Sequence, residues 1–121
     1  MNGTGKGTQH MQISVEEIDG GLVRVILDGR MDIVSAPGID AKLSAIADSK
    51  QAVMLDMRNV SFIGSTGVRS LIAPAQRIKT KGGRMVMFGP NEMVEKVLRA
   101  SNIESLIPIH HEFQSAVAAL Q

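Results

Sequence analysis

The stretch Ala52-Val53-Met54-Leu55-Asp56-Met57-Arg58-Asn59-Val60-Ser61-Phe62-Ile63-Gly64-Ser65-Thr66-Gly67-Val68-Arg69 decides how this chain is read. Its first four residues are a short unbroken apolar run, the pattern of a strand covered on both faces. From Val68 the period changes, and Val68, Leu71, Ile72, Ala75 and Ile78 fall on one stripe of a helix that should end near Lys81-Gly82-Gly83. Residues 56–67 then connect strand to helix, with Ser65 and Thr66 at the helix start. Backbone N–H groups are unpaired there, and the helix dipole favours negative charge. Pro74 interrupts the helical stripe, removing one hydrogen bond and crowding the Ser70 carbonyl, so a bend is expected.

The same alternation continues outward in both directions. Met85-Val86-Met87-Phe88 reads as the next buried strand, followed by a Gly89-Pro90-Asn91 turn. Val94, Val97 and Leu98 mark a third helix, Leu106 to Ile109 a short last strand, and Phe113, Ala116, Val117 and Leu120 a terminal helix. Upstream, Met11, Ile13 and Val15 alternate with polar residues as a half-buried strand does, and Asp19-Gly20-Gly21 supplies hairpin glycines before Leu22 to Leu27 return antiparallel. Ser35 is placed to cap a helix carrying Pro37 in its first turn and Ile39, Leu43, Ile46 and Ala47 on its apolar face. The expected class is α/β: a small mixed, largely parallel sheet with an N-terminal hairpin and about four helices packed on it.

At 121 residues the chain fits one domain, 11–121, preceded by a polar segment 1–10 read as a flexible tail. It contains no cysteine, which excludes disulfides, thiolate metal sites and a thiol nucleophile and fits a cytoplasmic location. Every apolar run is cut well before the roughly 20 residues a membrane span needs, and the N-terminus lacks a signal-peptide core. No direct membrane insertion is expected. Charge is uneven: residues 58–100 hold eight Lys/Arg against two Asp/Glu, whereas residues 1–57 hold five against eight. With only Phe62, Phe88 and Phe113 available for stacking, this basic middle is read as a protein-binding or solvated face, without nucleic acid.

Chemistry-bearing motifs are few. Gly3-Thr4-Gly5-Lys6-Gly7-Thr8 resembles a fragment of a phosphate-binding loop, but Gly7 occupies the hydroxyl position and no strand leads in. His10, His110 and His111 have neither the number nor the spacing of a metal site, and no triad can be assembled from spacing. The expectation is a protein without catalytic residues, metal or cofactor. At the start of the second helix two readings compete. Ser65 either caps the helix, worth about 1 kcal/mol, and does nothing else, or it carries a function.

The segment Phe62-Ile63-Gly64-Ser65-Thr66-Gly67-Val68, preceded by Val53-Met54-Leu55-Asp56-Met57 and followed by Lys81-Gly82-Gly83-Arg84-Met85, resembles the STAS domain of bacterial anti-sigma factor antagonists. Leu27-Asp28-Gly29-Arg30-Met31-Asp32 is similar to the family's early Gly-x-x-Asp turn, and Val97-Leu98 through Ile103 to its third helix and the loop beyond. The likeness covers about residues 11–120. It implies a STAS-like fold and a regulatory role, in which the chain binds an anti-sigma factor that is itself a serine kinase and so releases a sigma factor. It implies Ser65 as the phosphoacceptor, with Thr66 as second choice, and a serine phosphatase that restores the unmodified state. Ile63, Gly64, Ser65, Thr66, Gly67, Arg69 and Asp32 would form the partner-binding surface. The chain departs from the family motif at Gly64, which stands where the family has Asp. That departure keeps a second reading open: a cytosolic STAS adaptor subunit of a lipid-transport or other membrane-transporter complex, without a phosphorylation cycle.

Overall fold

The computed structural model describes residues 11–121. The segment 1–10, with its glycine-rich fragment and His10, lies outside the described residues. Five strands form one sheet in the order β1-β2-β3-β4-β5. They are β1 (Gln12–Glu17), β2 (Leu22–Met31), β3 (Ala52–Ile63), β4 (Arg84–Phe88) and β5 (Ile109–His110), and the helices are α1 (Ala36–Ser49), α2 (Ser65–Thr80), α3 (Glu92–Ala100) and α4 (Phe113–Leu120). β1 and β2 are antiparallel, and all later neighbours are parallel. Each parallel connection from β2 to β5 carries one helix, as a parallel crossover requires. The predicted mixed sheet, hairpin and four helices are therefore present.

One face of the sheet meets α1, α2 and α3 through Val25, Leu27, Leu55, Met57, Leu43 and Leu71, all fully buried. The other face carries a smaller cluster in which Met54, Val86 and Phe88 pack beneath Ala116 and Leu120 of α4. This two-sided cover explains why β3 and β4 read as continuous apolar runs. Among the described residues, no helix is long and apolar enough to cross a membrane.

Four expectations need correction. β3 does not stop at Leu55 but continues for 12 residues to Ile63, so most of the supposed connecting loop is strand. Its second half alternates buried Met57, Val60 and Ile63 with exposed polar residues, and it stays paired to β2 through two register shifts flanking Asp28 and Gly29. β2 likewise runs on to Met31. β5 comprises Ile109 and His110 alone, because a 3-10 turn at Ile103–Ser105 occupies the chain just before Leu106. Ser35 occupies the cap position of α1, yet its side chain makes no cap hydrogen bond.

Candidate functional site

The C-terminal ends of β2 and β3 lie side by side, with Met31 paired to Ile63. The chain leaves β3 at Gly64, whose N–H donates to the Met31 carbonyl at 3.0 Å, and α2 begins at the next residue. Gly64 is the N-cap, with φ −106° and ψ −178°, and no side chain caps the helix. Ser65 is thus not the capping residue. It sits one position inside the helix, exposed to solvent, with Thr66 half-buried beside it. Its oxygen is placed where a visiting protein can reach it.

Gly67 explains how the helix start comes so close to the sheet. A Cβ added there would stand 2.5 Å from the Met31 carbonyl oxygen and 2.8 Å from the Met31 Cβ. Only a hydrogen fits. Ile63, 3% exposed, packs into the core beneath the same turn. Ile63 and Gly67 were expected on the docking surface, and both are buried, because a strand end and a helix start must pack tightly to bury their apolar atoms.

Asp32 follows Met31 directly and organises the β2–α1 turn. Its Oδ1 accepts the Val34 and Ser35 N–H groups, each at 3.1 Å, and its Oδ2 accepts Arg30 Nε at 3.2 Å. The Ser35 hydroxyl in return accepts the Asp32 N–H at 3.0 Å and donates to the Arg30 carbonyl at 2.6 Å. The backbone hydrogen bond from Ser35, with help from Arg30 and Val34, holds the Asp32 carboxyl below the usual carboxylate range. The fixed turn projects Ile33, 75% exposed, and Val34, 49% exposed, into solvent. On the opposite flank, Met93 is 68% exposed and joins Phe62 and Val97 around a small hollow. The Arg30 guanidinium stacks on the Phe62 ring, 4.3 Å from its centroid. Beside Thr66 a groove of about 460 Å³ separates α1 from α2, with Asp40 and Ser44 on one wall and Arg69 and Arg77 on the other. Arg69 is exposed, and Arg77 pairs with Asp48 at 2.7 Å.

The structure therefore gathers Asp32, Gly64, Ser65, Thr66 and Arg69 around the C-terminal edge of β2 and β3. It adds exposed apolar side chains, Ile33, Val34 and Met93, that sequence reasoning missed. Two hydrophobics between Asp32 and Ser35, where a turn should be polar, were the available signal.

The STAS domain family model matches residues 12–116. The chain belongs to the STAS domain family. This STAS domain is 25% identical to the anti-sigma F factor antagonist of Paenibacillus polymyxa, over 93% of this chain and 97% of that one. Among solved structures, an anti-sigma factor antagonist from Mycobacterium paratuberculosis superposes with a TM-score of 0.82 at 24% identity, covering 91% of this chain and 93% of the other. The Bacillus cell fate determinant SpoIIAA in its phosphorylated form superposes with a TM-score of 0.68 at 20% identity, covering 91% of this STAS domain and all of SpoIIAA, 100%. Further curated relatives, such as the anti-sigma-B factor antagonist of Bacillus subtilis, 22% identical over 78% of this chain and 87% of that one, carry the same kind of name.

Proposed function

We propose that this STAS domain is a cytoplasmic, non-enzymatic anti-sigma factor antagonist that docks on a serine-kinase anti-sigma factor through the surface around Ser65, and that phosphorylation of Ser65 switches it off. The observation that carries this reading is the exposed Ser65 at the uncapped start of α2, framed by solvent-facing apolar residues. The naming of its relatives supports the partner class, and a phosphorylated structural neighbour supports the modification.

The physics of the switch follows from that placement. A phosphoryl group adds about −1.5 to −2 charge at a helix start, where backbone N–H groups and Arg69 at i+4 accommodate it, so the fold survives. In a complex the same surface is desolvated. Burying the added charge against a partner costs several kcal/mol, and each 1.4 kcal/mol is tenfold in affinity. Ile33, Val34 and Met93 supply the apolar contact that makes the unmodified complex favourable. A serine phosphatase then restores binding, which makes the control reversible.

Gly64 favours one second reading, a transporter-associated STAS adaptor with no phosphorylation cycle, since no carboxylate precedes the acceptor. A pull-down with a serine-kinase anti-sigma factor from the same cell separates the two. Ser65→Ala should bind like the parent and Ser65→Asp should bind far less. Equal retention of both variants would remove the switch, and failure of the parent itself to bind would remove the antagonist.

A further inference from the structure

Among the described residues β1 is an outer strand: it pairs with β2 on one side, and no other described strand pairs with its free edge. Such an edge presents a row of unpaired N–H and C=O groups, and proteins commonly blunt it with charge. Here the charges are held by the chain's own cations. Glu16 pairs with Arg24 at 3.1 Å and Glu17 with Lys50 at 2.8 Å. Val15 remains 45% exposed although it lies opposite the fully buried Val25 on the helix-covered face. We infer that β1 is a self-pairing edge through which two copies of this chain associate, antiparallel and centred on Ser14.

That register is self-complementary. With Ser14 opposite Ser14, Ile13 of each copy faces Val15 of the other on the helix side of the sheet. Gln12 faces Glu16, an amide beside a carboxylate, on the opposite side. Met11 faces Glu17 of the second copy, next to the exposed Lys42, which borders a hollow of about 220 Å³ together with Met11 and Ile13. Sliding the pairing to centre on Val15 would set Ile13 against Glu17 twice and leave one apolar pair, Val15 against Val15, in place of two. A one-residue change of centre is thus selected against by side-chain chemistry, as sheet registers are in general. A two-fold axis perpendicular to the sheet keeps both α1 helices on one face and leaves the Ser65 edge of each copy open. A six-residue strand is only about 20 Å long, so the contact belongs to the small, concentration-dependent class.

The chain has no cysteine, which makes a cross-linking test clean. Directly opposed residues in an antiparallel pair have Cα atoms about 4.5–5.5 Å apart, within the span of a disulfide. Ser14→Cys should form a disulfide-linked dimer on mild oxidation. Gln12→Cys should not, since its own counterpart lies four residues away, about 13 Å along the strand. Sedimentation equilibrium of the parent should show a monomer–dimer equilibrium that Val15→Lys abolishes, with circular dichroism confirming that the variant is folded. Equal cross-linking by both cysteine variants, or a parent that stays monomeric up to about 1 mM, the limit of weak specific association, would overturn the proposal.

Discussion

Replacing Gly67 with alanine should destabilise the domain although it puts the best helix former into a helix. On propensity alone, Ala for Gly within a helix gains about 1 kcal/mol. The structure opposes this gain. The new Cβ would stand 2.5 Å from the Met31 carbonyl oxygen, 2.8 Å from the Met31 Cβ and 3.0 Å from Ile63 Cγ1, where ordinary contact begins at 3.4 Å. Restoring contact to the backbone oxygen requires the start of α2 to retreat by about 0.9 Å, the difference between those distances. The oxygen belongs to a sheet backbone and cannot turn aside as a side-chain tip can. Overpacking of this kind costs about 1–3 kcal/mol, and stretching the Gly64 N–H to Met31 hydrogen bond forfeits up to about 1 kcal/mol more. The net expectation is a loss of about 1–2 kcal/mol, which lowers the melting temperature of a domain this size by roughly 3–10 °C. Urea and thermal unfolding followed by circular dichroism measure it. Gly38→Ala in α1 is the control, because a Cβ there meets nothing within 4 Å. It should leave stability unchanged or raise it. If Gly67→Ala proves as stable as Gly38→Ala, the close approach of α2 to β2 is not what glycine secures.

Further outcomes follow from individual contacts. Asp56 is 2% exposed and accepts hydrogen bonds from Arg24 and Arg58, two of them at 2.8 Å. Burial pushes its carboxyl up, but the Arg58 and Arg24 hydrogen bonds together outweigh this and hold it below the ordinary value of 3.8. Its stabilisation is therefore present above about pH 4 and lost as pH falls through the depressed value. Asp56→Asn should cost about 2 kcal/mol at pH 7, a figure held down by the half-exposed Arg58, and the gap to the parent in urea melts should shrink at pH 3. Gly64→Asp should add a few tenths of a kcal/mol through an N-cap hydrogen bond, since the backbone there suits any residue and only the Phe62 ring, 3.3 Å away, must shift; a lower urea midpoint would contradict this. Ile33→Asp and Met93→Asp should each weaken anti-sigma factor binding about tenfold or more in calorimetry without changing the melting temperature, and unaltered affinity would take those side chains off the docking surface.

The sequence made the layered part of the fold legible because apolar period and position agree there. Val68, Leu71, Ala75 and Ile78 are all buried on the inner stripe of α2, whereas Ile72, read on the same stripe, is 37% exposed; Met85 to Phe88 form β4 as their unbroken apolar run implies. The second half of β3 was hidden for a physical reason. Arg58, Asn59 and Ser61 are polar because that part of the strand is covered on one face only, so the signal of a two-sided strand fades at Asp56 while the pairing to β2 continues. The last strand was placed only at Ile109, because the two residues of β5 contain no period that could fix its bounds. At the site, residue type and place put Ser65 and Thr66 at the helix start and only the family resemblance singled them out, while the burial of Ile63 and Gly67 depends on how near β2 comes to α2, a distance set by strands far apart in the chain. Ile33 and Met93 were missed since an exposed apolar residue looks like a core residue until the surface exists.

The central claim is that charge on the Ser65 hydroxyl governs docking, and one measurement addresses it most directly. The domain phosphorylated at Ser65 alone, verified by intact mass and by its absence in Ser65→Ala, is titrated by calorimetry against the anti-sigma factor beside the unmodified domain. The account predicts at least a 100-fold weaker Kd for the phosphorylated form, equivalent to about 2.8 kcal/mol, with an unchanged melting temperature. Equal Kd values for the two forms would contradict it.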